Sequence, residues 1–292
     1  MNNKFLLSHK SQEPENSVLY VVGTPIGNLS DISFRALNIF RKVSMIACED
    51  TRQTRKIMSK FEFKNNLISF NKHNFNKKIP KIINDLNAGN SIALVSDAGM
   101  PSICDPGEDL IREARSKGIK VICVPGPCAV ITALVSSGLP SSKFIFEGFL
   151  PKKNSDREKI LMEIGKNEKT TILFESPHRL IKLLNQLKEY CGAEREIIVS
   201  RELTKKYEEN IGKNIDDVIN YFEGIEVLGE ITIVIKGINN SKQKNKYNSV
   251  EIKKDLYELT SAGLSLSAAS KYLAKKNNIQ KSIIYNMYSN ID

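Results

Sequence analysis

The sequence predicts an α/β protein made of two successive α/β domains and a small C-terminal helical module. Three observations carry that reading. Short apolar runs rich in Val, Ile and Leu alternate with amphipathic stretches of helical period; the alternation breaks at Gly138-Leu139-Pro140 and then resumes; and the polar stretch NNSKQKNKYNS separates it from a lysine-rich tail. Strands separated by helices of this length predict a largely parallel sheet covered by helices.

In the first series the strand candidates are 18–23, 45–48, 67–70, 91–96 and 121–124, several closing on Gly, Pro, Asp or Ser. The helix candidates between them are 32–41, 79–87, 108–117 and 129–136. Asp31, in LSDIS, reads as the cap of the first of these helices. The second series places strands at 143–149, 170–174, 196–200 and 230–236, with helices at 156–165, 179–190 and 215–222. The domains are therefore expected at 18–138 and 139–237, behind a polar N-terminal tail (1–17) and ahead of a linker (238–249). The remaining segment, 250–292, patterns as three short helices. Ser265-Leu266-Ser267 opens one at 268–276, and Asn277-Asn278 turns the chain into another ending near Tyr288. A helix-turn-helix and a plain three-helix docking module both fit this pattern.

A chain of 292 residues that is 41% hydrophobic can bury a sizeable core, which excludes global disorder. The 43 Lys and Arg against 33 Asp and Glu leave a net charge of +10, which favours a polyanionic partner such as nucleic acid or an anionic surface. A bias toward Lys, Asn and Ile throughout the chain supplies part of that charge without any partner. From Gly237 onward nine Lys face four acidic residues, so half of the excess sits in the tail. The five cysteines (Cys48, Cys104, Cys123, Cys128 and Cys191) show no metal-like spacing with the three histidines, which predicts reduced thiols in a cytoplasm and no metal site. Phe5, Leu6 and Leu7 are too short an apolar patch for a secretion signal, and no later run reaches the length of a membrane span. No membrane partner is expected.

Neither G-x-G-x-x-G after a strand nor G-x-x-x-x-G-K-[ST] occurs, which sets aside the common dinucleotide and P-loop readings. Instead, three Gly- and Pro-rich turns fall at the C-terminal ends of strands, where open α/β sheets hold ligands: GTPIGNLSD (23–31), SDAGMPSICDPG (96–107) and PGPCAV (125–130). Any one of them is explained by turn chemistry alone. Together, with an acid in SDAG (Asp97) that reads as buried, they predict a shared cleft in which exposed backbone approaches a ligand, above all at Gly99.

The segments VGTPIGNLSDIS, ACEDTR, ALVSDAGMPSICDPG, VPGPCAVITAL with GLPS, EGFLP, FESPHR and SRELTK, in that order from about residue 18 to 237, resemble the motif series of the ribosomal RNA small subunit methyltransferase I family, within the tetrapyrrole methylase superfamily. The C-terminal helical module resembles that family's small appended domain. Met100 departs from the pattern, since the family more often has Thr there. The resemblance implies a fold of the tetrapyrrole methylase type, with S-adenosylmethionine bound folded up in the cleft between two α/β domains, and a homodimer. It implies 2′-O-methylation of a cytidine ribose in the decoding region of small-subunit (16S) ribosomal RNA, free or in the ribosomal particle. Carried over motif by motif, the cofactor contacts fall on Pro25, Ala98, Gly99, Met100, Ile103, Cys128, Ala129, Ser176 and Leu203.

Methyl transfer from a sulfonium is an in-line displacement that gains most from alignment and is assisted by a base for the hydroxyl proton. Candidate bases are Glu49, Asp50, His73, Glu175, His178 and Glu202, and the residue types single out none of them. Arg52, Arg179 and Arg201 suit RNA phosphates, or else pin those carboxylates by bidentate pairing. Glu175 and Arg179, four residues apart, read equally as an ion pair, and His73, in an Asn- and Lys-rich loop, as an RNA contact. Two other functions fit the sequence: the same fold methylating a tetrapyrrole or a diphthine-type substrate, and a non-catalytic RNA-binding assembly factor. The basic tail and the CEDTR and RELTK motifs favour an RNA acceptor.

Overall fold

The computed structural model describes residues 13–238, 249–277, 284, 285 and 287. The first twelve residues of the expected polar tail, linker residues 239–248 and the end of the last expected helix near Tyr288 lie outside the described residues.

The first sheet contains β1 (Val18–Val22), β2 (Met45–Cys48), β3 (Leu67–Ser69), β4 (Ile92–Val95) and β5 (Lys120–Val124), in the order β3-β2-β4-β1-β5. All its pairings are parallel, as expected. Successive side chains of a strand point to opposite faces, and both faces here are covered. Tyr20, Val22, Ile46 and Ala93 pack with Ile39 and Phe40 of α1 (Phe34–Lys42), whereas Leu19, Ala47, Ile92 and Leu94 pack with Ile82 and Leu86 of α3 (Phe75–Asn87) and Leu110 of α4 (Glu108–Ser116). That double burial explains why these strands read as unbroken apolar runs.

Two local expectations are corrected. Asp31 does not cap α1. It ends a one-turn 3-10 helix, Leu29–Asp31, and the Ser33 hydroxyl accepts the Ala36 amide at 3.0 Å, so Ser33 is the cap. A helix absent from the sequence reading, α2 (Thr51–Lys60), buries only Thr54 and Ile57 and so shows little apolar periodicity.

The chain then forms α5 (Ala129–Ser137) and a second sheet: β6 (Phe144–Phe149), β7 (Thr170–Glu175), β8 (Glu196–Arg201), β9 (Glu209–Asn214) and β10 (Ile231–Ile235). Its order is β6-β7-β10-β8-β9, and only β6 and β7 run parallel. This sheet is thus mostly antiparallel, because β8 returns through a short turn to β9 and β10 enters between β7 and β8. The edge strand β9 escaped the sequence reading because ENIGKN has one apolar side chain.

One face of the second sheet is covered by α6 (Asn154–Lys166), α7 (Leu180–Cys191) and α8 (Ile215–Phe222), which supply Leu161, Leu183, Leu187, Val218 and Phe222 to its core. The other face meets α5: Val130, Ala133 and Leu134 pack with Ile172, Val234, Ile26 and Leu203. Through this cluster both sheets belong to one compact unit ending at Lys236, and a second unit starts at Gly237. Within the second unit α9 (Ser249–Ser261) and α10 (Leu266–Asn277) pack through Ile252, Leu256, Ala269 and Leu273, joined by Ile284.

Candidate active site

The turns after β1, β4 and β5 close on one another. Thr24 and Gly99 exchange both backbone hydrogen bonds, and Gly23 and Gly126 approach so closely that a Cβ on Gly126 would stand 2.8 Å from the Gly23 Cα. Only glycine fits that crossing. The long turn after β4 holds Ser102 (φ 70°) and Cys104 (φ 66°) in left-handed backbone, as the turn after β8 holds Glu202 (φ 53°) and Thr204 (φ 66°). Non-glycine residues adopt this conformation at a cost, and such positions concentrate at ligand sites. The Thr204 hydroxyl accepts the Asn28 amide at 3.0 Å, tying the two turns across the cleft.

Between these turns and the second sheet lies a cavity of about 450 Å³. Ala98, Gly99, Met100, Ile103, Cys128, Ala129 and Ser176, seven of the nine residues expected at the cofactor, line it. Pro25 and Leu203 do not: Pro25 is buried beside the Thr24–Gly99 bridge, and Leu203 packs in the apolar cluster under α5. Met100 fills the space over Gly23, where an added Cβ would meet its sulfur at 2.6 Å. The walls also contain residues that the motifs did not single out, namely Ile26, Lys72, Cys104, Asp105, Val130, Phe149, Phe174, Glu230, Ile231 and Thr232. Asp105 lies inside the SDAGMPSICDPG turn and was legible there, whereas β10 carries no motif.

A second hollow, of about 380 Å³, is lined by Glu49, Asp50, Thr51, Arg52, Ser69, Asn71, Lys72 and His73. The CEDTR and NKHN segments, separate in sequence, meet because β2 and β3 are neighbours and their C-terminal ends open side by side. Asp50 caps α2, accepting the Arg52 amide at 2.8 Å, and grips the Arg52 guanidinium at 2.6 Å, which holds its pKa down at about 2. A carboxylate so stabilised is a weak base. Burial pushes the Glu49 carboxyl up, and the neighbouring Asp105 and Asp97 add to the shift. Asp97 is exposed rather than buried as its motif suggested, and it accepts the Asp50 amide at 2.9 Å. Partial desolvation raises its pKa, as burial raises that of Asp105. Among the described residues no group of three or more His, Cys, Asp or Glu has metal-binding geometry.

The other candidates stand apart from this hollow. Glu175 is buried under the cavity, where its Oε1 accepts from Arg179 Nε and the Ser176 amide, both at 2.7 Å, while Oε2 faces buried Arg157 at 3.6 Å. The ion-pair reading describes it. The Glu202 carboxyl is taken by Lys205 at 2.8 Å and the Glu230 amide at 2.9 Å; burial raises its pKa, but these partners outweigh that and leave it lowered. Arg201 pairs with Glu209 and donates to the Leu228 carbonyl. Arg179 and Arg201 thus pin carboxylates, and the Arg52 side chain, though paired with Asp50, remains 82% exposed. His178 is exposed in the 3-10 turn after β7.

The model of the tetrapyrrole (corrin/porphyrin) methylases matches residues 18–218. Among curated proteins, "Ribosomal RNA small subunit methyltransferase I" of Vibrio cholerae is 41% identical over 270 residues, covering 92% of this chain and 93% of that one. The protein of the same name from Synechocystis is 39% identical, covering 92% and 96%. The one from Thermotoga maritima is 45% identical over 219 residues, which are 75% of this chain and 98% of that one. Among solved structures, uroporphyrin-III C-methyltransferase from Thermus thermophilus complexed with S-adenosyl homocysteine superposes with a TM-score of 0.54 at 13% identity, over 75% of this chain and 96% of that one. A cobalt precorrin-4 methyltransferase gives 0.56 at 15% identity, over 75% and 95%. At these identities the structural likeness speaks for the fold.

Proposed function

The chain belongs to the tetrapyrrole methylase family, and on that footing we propose that it transfers a methyl group from S-adenosylmethionine to the RNA of the small ribosomal subunit. The observation that carries the acceptor is the 39–41% identity, along more than nine tenths of the chain, to proteins named for that RNA. The finer reading is a cytidine ribose 2′-oxygen in the decoding region, reached in the cytoplasm by a homodimer. Among the described residues no helix is long and apolar enough to cross a membrane.

The cavity fits the donor. Its volume of about 450 Å³ suits a small ligand, and Ile26, Val130, Phe149, Phe174 and Ile231 give it an apolar lining. Asp105 sets a carboxylate in the wall, while Glu230 is paired with Lys205 at 3.2 Å. Cys128 makes no side-chain cap on α5, so the first-turn amides at Ala129 and Val130 are free to meet a carboxylate. When bound there, S-adenosylmethionine supplies a methyl group on a positively charged sulfur. The protein's part is to hold the acceptor oxygen in line and to keep water out, and Phe149 and Phe174, with ring centroids 5.6 Å apart, close the apolar side. The adjoining hollow, with Arg52 exposed at its edge, offers room for the RNA.

Incubation of the purified chain with labelled donor and small-subunit particles, followed by nuclease digestion, tests the chemistry. Label in a 2′-O-methylcytidine supports the proposal, and label on a base contradicts it.

A further inference from the structure

We propose that Lys72 and Glu49 form the subsite for the acceptor hydroxyl, with Glu49 taking its proton and Lys72 holding the oxygen as negative charge develops on it. The inference rests on the reading above that an RNA ribose is the acceptor.

Among the described residues, Lys72 is the one side chain that lines both the large cavity and the hollow beside β2 and β3. An acceptor oxygen must touch the methyl donor and its base at once, so it belongs at the junction of the two spaces. The turn that carries Lys72 is tightly tied. Asn71 donates its amide to the Asn74 side chain at 2.9 Å, the Asn71 side chain accepts the His73 amide at 3.0 Å, and Asn74 reaches back to the Ser69 carbonyl at 3.2 Å. Such Asx bonding holds a loop without regular structure.

The charges around the junction are complementary. The Lys72 ammonium acts on Glu49, Asp105 and the Cys104 thiol, yet among the described residues it closes no ion pair within 4.0 Å. Its donors are therefore not committed to a carboxylate. Glu49 faces Asp105 and Asp97 on the turn after β4, Lys72 after β3, and shares the hollow with Asp50, Arg52 and His73. Of the six acidic candidates and neighbours, Asp50, Glu175 and Glu202 are bound to cations, and of the other three, Glu49, Asp97 and Asp105, Glu49 is the one that lines the hollow. Burial and like charge push the Glu49 carboxyl up, toward the range in which a base is effective near neutrality.

The step balances. The hydroxyl oxygen forms the new C–O bond as the donor's C–S bond breaks, the electron pair stays on sulfur, and the hydroxyl proton passes to Glu49 and then to water. An ammonium beside the oxygen stabilises charge that exists only as the bond forms.

The test uses the full chain, small-subunit particles and single-turnover rates across pH, for wild type, K72M, K72R and E49Q. K72M is expected to lose about 100-fold in rate at neutral pH. Because Lys72 lowers the Glu49 pKa, its removal moves the acidic limb of the profile to higher pH; K72R restores the limb, and E49Q abolishes it. Melting temperature stays at the wild-type value in all three, and calorimetric affinity for S-adenosylmethionine does not fall with the rate. A K72M protein with wild-type rate and profile overturns the proposal. So does one whose donor affinity falls in step with its rate, since Lys72 would then belong to the donor pocket. If the wild-type chain leaves the particles unmethylated, the RNA reading fails instead.

Discussion

Thr24 and Gly99 donate their backbone amides to each other's carbonyls at 2.9 and 3.0 Å, which makes the turns after β1 and β4 a single floor under the cavity. Gly99 therefore supports the fold as well as lining the cavity.

Gly99 has φ +79°, and an added Cβ would stand 3.4 Å from the Ile26 side chain. A β-branched residue in that backbone region costs about 1–3 kcal/mol. Were Gly99 only a ligand contact, Gly99→Val would abolish donor binding and leave the fold intact. The structure predicts instead that melting temperature and donor affinity fall together, to be read by scanning and titration calorimetry. Lost affinity at an unchanged melting temperature would show that the bridge adds nothing to stability.

Glu175 sits between Arg157, whose side chain is 5% exposed, and Arg179. Removing its charge leaves a buried guanidinium uncompensated, at about 3–5 kcal/mol. Glu175→Gln should lower the melting temperature by several degrees and loosen Ser176 at the cavity wall. A catalytic base would behave differently: the rate would drop and the melting curve would stay in place.

The first sheet was legible because strands such as Ile92–Val95 are buried on both faces and read as apolar runs. The second was legible as strands except for β9, and illegible as a topology, since nothing in Ile231–Ile235 encodes its insertion between β7 and β8. The cavity followed from the turns, which carry their own glycines and prolines. Lys72, Phe174 and Glu230 did not, because their place depends on how β3, β7 and β10 are brought to one cleft. Among the candidate bases, sequence could not separate Glu49 from Asp50. Only the neighbours do so, Arg52 gripping one while Asp97 and Asp105 crowd the other.

A chain ending at Lys236 should fold and bind S-adenosylmethionine, because every residue lining the cavity precedes that point and the contacts divide there. The removed tail carries half of the net positive charge, so affinity for ribosomal particles should fall. For the full chain log affinity should decline linearly with log salt, and the truncated chain should show the shallower slope. Equal slopes would make the tail a bystander. A truncated chain that fails to fold would move the boundary.

The most direct measurement sets acceptors side by side: one preparation of the full chain, labelled S-adenosylmethionine, and equal amounts of small-subunit particles, naked small-subunit RNA and a uroporphyrinogen-type tetrapyrrole. The groove of Glu49, Arg52, Lys72 and His73 beside the donor cavity predicts label in the RNA and none in the tetrapyrrole. Label in the tetrapyrrole, with both RNA samples blank, would contradict it.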